Sequence, residues 1–77
     1  MTIKDVSDLG FVLDPEESFA DRNLFEYNNF GLILLSNNFI TVYKFNDYDE
    51  RIVFEGCIKN KQELKILFRQ LGIYESN

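Results

Sequence analysis

The chain is 77 residues long, with a formal net charge of −5 from 13 acids and 8 bases, no histidine and one cysteine. That length holds one domain, whose core only just offsets chain entropy and relies on large side chains, here eight Phe and four Tyr. An acidic surface repels phosphate backbones and anionic lipid, the lone thiol excludes an internal disulfide, and no apolar run approaches the roughly 18 residues of a membrane span.

Thr2 is placed to cap a short helix in which Ile3, Val6 and Leu9 form one stripe. Asp5 favours the positive end of its dipole, and Gly10 can take the left-handed conformation that ends it. Residues 11–13, Phe-Val-Leu, read as a short strand running into Asp14-Pro15. That pair starts either a helical turn through Ala20 or a turn between strands. Strands follow at 24–27, 31–35, 39–45 and 51–58, rich in aromatic and β-branched residues. Their separators at 28–29, 36–38 and 46–50 are Asn-rich turn sequences, and such short connections imply an antiparallel meander.

The last element is the most strongly patterned. Asn60-Lys61-Gln62-Glu63 resembles a capping box, and Leu64, Leu67, Phe68 and Leu71 make one apolar stripe. Gly72 supplies the stop, Ile73 can fold back on Phe68, and Arg69 meets the negative end of the dipole. This predicts an amphipathic helix over about residues 60–71. The fold class expected for residues 1–77 is therefore a single α+β domain: an antiparallel sheet of about four strands, this helix on one face, and a short N-terminal helix.

Residues suited to chemistry are sparse. Without histidine, zinc sites and Ser/His or Cys/His nucleophiles lose their usual members. The four glycines, at 10, 31, 56 and 72, are too dispersed for a phosphate loop. Cys57 near a strand end is expected to pack as a small inert hydrophobe. The carboxylates at Asp47, Asp49 and Glu50 have the alternate spacing that hard cations favour, but Arg51 follows and no loop glycine is present, so they read as a solvated hairpin tip. Glu16 and Glu17 face no opposing acid across a cleft. The expectation is a non-enzymatic protein with no cofactor and no metal.

Apolar residues, by contrast, are in surplus. One parity of the strand at 39–45 shows Phe39, Thr41, Tyr43 and Phe45, the other Ile40, Val42 and Lys44. At 51–58 one parity shows Ile52, Phe54 and Ile58, the other Val53, Glu55 and Cys57. Residues 32–35 are apolar on both. Four strands make a sheet about 19 Å wide, and a twelve-residue helix about 18 Å long and 10 Å across covers half of one face. The second face is then covered either by the 14–23 segment with Phe19 or by another chain. Uncovered apolar surface marks a binding site, and Phe39, Tyr43 and Phe45 are the candidate partner-binding row. The acids Glu16, Glu17, Asp47, Asp49 and Glu50 are its charged candidates.

The ending "RIVFEGCIKNKQELKILFRQLGI" resembles the tails of small accessory proteins of bacteriophages and mobile elements in low-GC bacteria. There a strand closing in Phe-Glu-Gly leads to a capped helix closing in Leu-Gly-Ile; "SDLGF" near the start is similar in kind. The resemblance implies a small inhibitor that binds a host or antiviral-defence protein, as anti-CRISPR proteins do. On that reading the partner is another protein or a second copy of the chain, with no membrane and no direct nucleic-acid contact, in the cytoplasm of a bacterial host. The alternative is an acidic mimic of nucleic acid occupying a DNA- or RNA-binding groove, with acids at 14, 16, 17, 21, 26, 47, 49, 50 and 55 as its phosphate-like charges.

Overall fold

The computed structural model describes residues 1–74; positions 75–77 of the expected domain lie outside the described residues. The elements are α1 (Ile3–Ser7), β1 (Val12–Phe19), β2 (Arg22–Tyr27), β3 (Phe30–Leu35), β4 (Phe39–Phe45), β5 (Glu50–Cys57) and α2 (Lys61–Gln70). The strands form one antiparallel sheet in sequence order, β1-β2-β3-β4-β5. The expected α+β class and meander hold, with five strands in place of about four.

The fifth strand is β1, in which the short strand expected at 11–13 runs on to Phe19, and the chemistry of that extension explains why periodicity does not show it. Asp14 pairs with Leu24 and Phe19 with Arg22, so four residues of β1 stand against one of β2. The Asp14 carboxylate accepts from the Glu16 and Glu17 N–H groups, 3.0 and 3.3 Å away, and gathers that excess into a bulge. Ser18 then closes the gap. Its hydroxyl donates to the Asp14 carbonyl (2.7 Å) and accepts from the Leu24 N–H (2.9 Å), standing in for a missing ladder bond. Pro15 has no N–H to offer and is tolerated because β1 lies at the sheet edge. Segment 14–23 is therefore sheet and hairpin. It does not lie across the second face as one of the expectations held.

Both helices end as their sequences dictate. Thr2 and Asp5 form a reciprocal capping box on α1, and Gly10 follows at φ 104°. In α2 the Asn60 side chain accepts from the Glu63 N–H (2.9 Å), while Glu63 reaches back one residue further, to the Lys59 N–H (3.0 Å). At the far end Gly72 (φ 70°) donates to the Arg69 carbonyl and Ile73 to the Phe68 carbonyl, both at 3.1 Å. This is the Schellman arrangement, and it brings Ile73 into the core beside Phe68.

Register divides the sheet into two sets of rows. Leu13, Phe25, Leu32, Val42 and Phe54 pair in succession across all five strands. With Leu34 and Ile40 this row meets Val6 of α1 and Leu64, Leu67 and Phe68 of α2 in one cluster, along with Phe11, Ile58 and Ile73. Leu71, expected to be buried, is half-buried and packs against that cluster. Burying each of these side chains stabilises the domain by about 1.5–3 kcal/mol.

Candidate functional site: the uncovered face of the sheet

Among the described residues no element packs on the opposite face. Its rows are Val12–Glu26–Gly31–Tyr43–Ile52 and Asp14–Leu24–Ile33–Thr41–Glu55, each running across five strands. Leu24, Ile33, Leu35, Phe39, Tyr43 and Phe45 are half-buried there, which is what neighbouring side chains alone achieve on a surface. Ile52 is 60% exposed and Phe19 64%.

Tyr43 organises the centre. Its ring lies over Gly31, its cross-strand partner, so closely that a Cβ added to Gly31 would overlap it. A glycine in a central strand is normally a weak point, and here the aromatic ring covers it. Tyr43 also contacts Phe45, with ring centroids 6.1 Å apart. Beside it Arg22, Ile33, Thr41, Glu50 and Ile52 complete the wall of a hollow of about 380 Å³. The Tyr43 phenol is held above its ordinary pKa, chiefly by burial and then by the charges of Glu50 and Glu26.

The expected row of Phe39, Tyr43 and Phe45 thus shares one face, although Thr41 interrupts it and hydrogen-bonds Glu55 at 3.4 Å. Of the charged candidates, Glu50 lines the hollow. Asp47 and Asp49 sit at the β4–β5 hairpin tip, where the Asn46 side chain accepts from the Tyr48 and Asp49 N–H groups at 2.8 and 3.0 Å. Glu16 and Glu17 stand in the β1 bulge. The structure brings Tyr43, Phe45 and Glu50 together and leaves Phe39, Asp47, Asp49 and Glu16 away from the hollow.

Two readings of β5 require correction. Val42 pairs with Phe54 but Tyr43 pairs with Ile52, so Val53 is an extra residue in a bulge. The parity reverses there. Ile52 parts from Phe54 and joins Glu55 and Cys57 on the uncovered face, where strict alternation had put it with Phe54 and Ile58. Cys57, which alternation already set opposite Phe54 and Ile58, pairs with Phe39 on the uncovered face; it is exposed and is not the buried hydrophobe expected. Arg22, Ile33, Thr41 and Ile52 are the lining residues that the sequence does not single out. Ile52-Val53-Phe54, apolar at three consecutive positions, carries no parity signal.

Among the described residues no three His, Cys, Asp or Glu side chains converge to hold a metal ion, and no helix is long and apolar enough to cross a membrane. No protein-family model, curated protein or solved structure matches the chain.

Proposed function

We propose that the chain is a non-enzymatic protein-binding module, acting as a phage-type inhibitor of a host or antiviral-defence protein and docking through the uncovered sheet face. The observation that carries the reading is the pair of side-chain rows on that face. A sheet whose core lies on the helix-covered face still places Leu24, Ile33, Leu35, Tyr43, Phe45 and Ile52 on the other, around an open hollow. Contiguous apolar surface of this kind marks interaction sites, and aromatic side chains with backbone-fixed positions are effective anchors. The inhibitor role rests on the resemblance in style of the C-terminal segment to the tails of phage accessory proteins.

The test uses a photo-crosslinking amino acid placed at Ile52 or, as control, at Ile66 on the exposed side of α2. Position 52 should give a discrete adduct in extract from the native host. Untagged wild-type protein should compete it away, and an Ile33→Lys, Ile52→Lys competitor should not. Equal adducts from position 66, or equal competition by the doubly substituted chain, would overturn the reading. An adduct that vanishes at moderate salt with either competitor would favour the nucleic-acid mimic instead.

A further inference from the structure

The uncovered face is not electrically neutral, and its charges indicate what can sit on it. Four carboxylates share its rows, Asp14, Glu26, Glu50 (opposite Phe45) and Glu55, against one cation, Arg22. Asp14 is occupied in holding its own loop. Arg22 is occupied too: its guanidinium lies 5.5 Å from the centre of the Phe19 ring and donates to the Glu17 carbonyl at 3.5 Å. Among the described residues the ion pairs are Lys4–Asp8, within α1 and its C-cap, and Lys61–Asp8, between the helices. Glu50 lines the apolar hollow, with Glu26 and Glu55 in the rows beside it, and none of the three forms one of those ion pairs. Their field is felt at its centre, because Glu50, Glu26 and Glu17 all add to what burial does to the Tyr43 phenol, with Arg22 opposing.

Charge also argues against the simplest occupant. Four acids less one base give the face −3, so two copies stacked face to face would set −3 against −3 around a low-dielectric centre. Strand addition is equally poorly served, since β1 carries Pro15 and a bulge, and β5 carries the Val53 bulge, at the two sheet edges. An occupant must lie across the face and bring positive charge.

We propose that the uncovered face docks a cationic amphipathic protein segment, with an apolar anchor in the hollow between Ile33, Tyr43 and Ile52 and Lys or Arg side chains reaching Glu26, Glu50 and Glu55. This rests on the docking function proposed above and specifies the chemistry of its partner. Carboxylates at the margin steer such a segment and set its orientation, while the apolar anchor holds it.

Three synthetic peptides test this directly: alternating Leu and Lys, the same with Glu for Lys, and the same with Ser for Leu. Each is titrated into the isotopically labelled full chain while backbone amide shifts are followed. The Leu–Lys peptide should shift amides of the two open rows saturably. Its affinity should fall several-fold between about 0.1 and 1 M salt, as the screening length shortens from about 10 to about 3 Å. Glu26→Gln and Glu50→Gln should each weaken it about two- to fivefold, and Asp47→Asn at the hairpin tip should not. Equal binding of the Leu–Glu peptide at the same rows would overturn the charge inference and leave the docking face intact. Equal binding of the Lys–Ser peptide would remove the apolar anchor. Should no peptide shift the open rows, the cationic segment is rejected, and the crosslink from position 52 independently decides whether the face docks anything. A wild-type dimer in sedimentation, with the open rows protected from exchange, would make a second copy the occupant and overturn the proposal.

Discussion

Two adjacent rows of side chains cross the same five strands, and they differ in how far they are covered. In the row Leu13–Phe25–Leu32–Val42–Phe54, Phe25, Leu32 and Val42 are each 0% exposed beneath the helices. In Val12–Glu26–Gly31–Tyr43–Ile52, the end residues Val12 and Ile52 are 69% and 60% exposed. Hydropathy separates them only in part: the second row contains Glu26 and Gly31, yet its Val12, Tyr43 and Ile52 are apolar or aromatic like the first. Coverage separates them: a ten-residue helix is about 15 Å long and five strands are about 24 Å wide, so the helices have area for one face only. Apolar side chains that contribute little to the monomer's stability on the second face are available for recognition.

The largest effect should come from deleting volume in the covered row. Leu32→Ala should destabilise by about 2–5 kcal/mol, a large part of what holds so small a domain. Ile33→Ala, one residue along on the open face, should cost less than half as much in the same urea titration. Equal losses would mean that both faces are core in solution, and the comparison would fail.

Gly31→Ala probes the contact at the centre of the open row. The new Cβ meets the Tyr43 ring, so it should destabilise by about 1–3 kcal/mol. Adding Tyr43→Ser should recover most of that loss, and additive effects in the double variant would show that the ring does not rest on the glycine. Ile52→Ser should be milder still, moving the melting temperature by no more than about 4 °C. The same variant should weaken binding of the Leu–Lys peptide by tenfold or more. Ile52 is a cleaner probe than Tyr43 because it covers no backbone.

Cys57 sharpens the comparison without changing stability. A thiol reagent should modify it in the native protein at the rate of a free thiol, with no lag for unfolding. Modification that waits for denaturant would mean that it is covered, against its pairing with Phe39 on the open face. The smallest effect is electrostatic. Tyr43 has a raised folded pKa, so the native state holds its proton more tightly than the unfolded chain. The associated stability is complete below the ordinary value of 10.0 and is lost as pH rises through the folded value. Glu50→Gln removes one cause of the shift and should bring the Tyr43 phenolate titration to lower pH. No movement would mean that Glu50 points away from the hollow.

How much of this was legible in the chain depended on whether local signals agreed with one another. In α2 the cap, the stripe and the glycine stop all specify the same helix, and it forms over Lys61–Gln70 as expected over about 60–71. In β4 the alternation of Ile40 and Val42 with Phe39, Tyr43 and Phe45 separated the faces, because polar and aromatic residues mark one parity. The two edge strands were misread because each contains a bulge. An Asp-Pro pair followed by two acids looks like a turn or a helix start until β2 is present to bridge it through Ser18. Three successive apolar residues in β5 fit either parity until Tyr43 and Val42 fix their partners. The candidate site inherited that limit: its β4 half could be read from the chain, and its β5 and Arg22 half could not.

The two interrupted edges also set a stoichiometry. A sheet with regular edges can recruit strand after strand, so its assemblies have no natural size. Here Pro15 with the β1 bulge closes one side, and the Val53 bulge closes the other. The helices already occupy one of the two faces, and a segment lying on the other is in turn capped by its own outer surface. Growth stops after one addition. Complexes formed through this fold should accordingly be one-to-one at any concentration, and a titration monitored by mass should reach its plateau at a single equivalent.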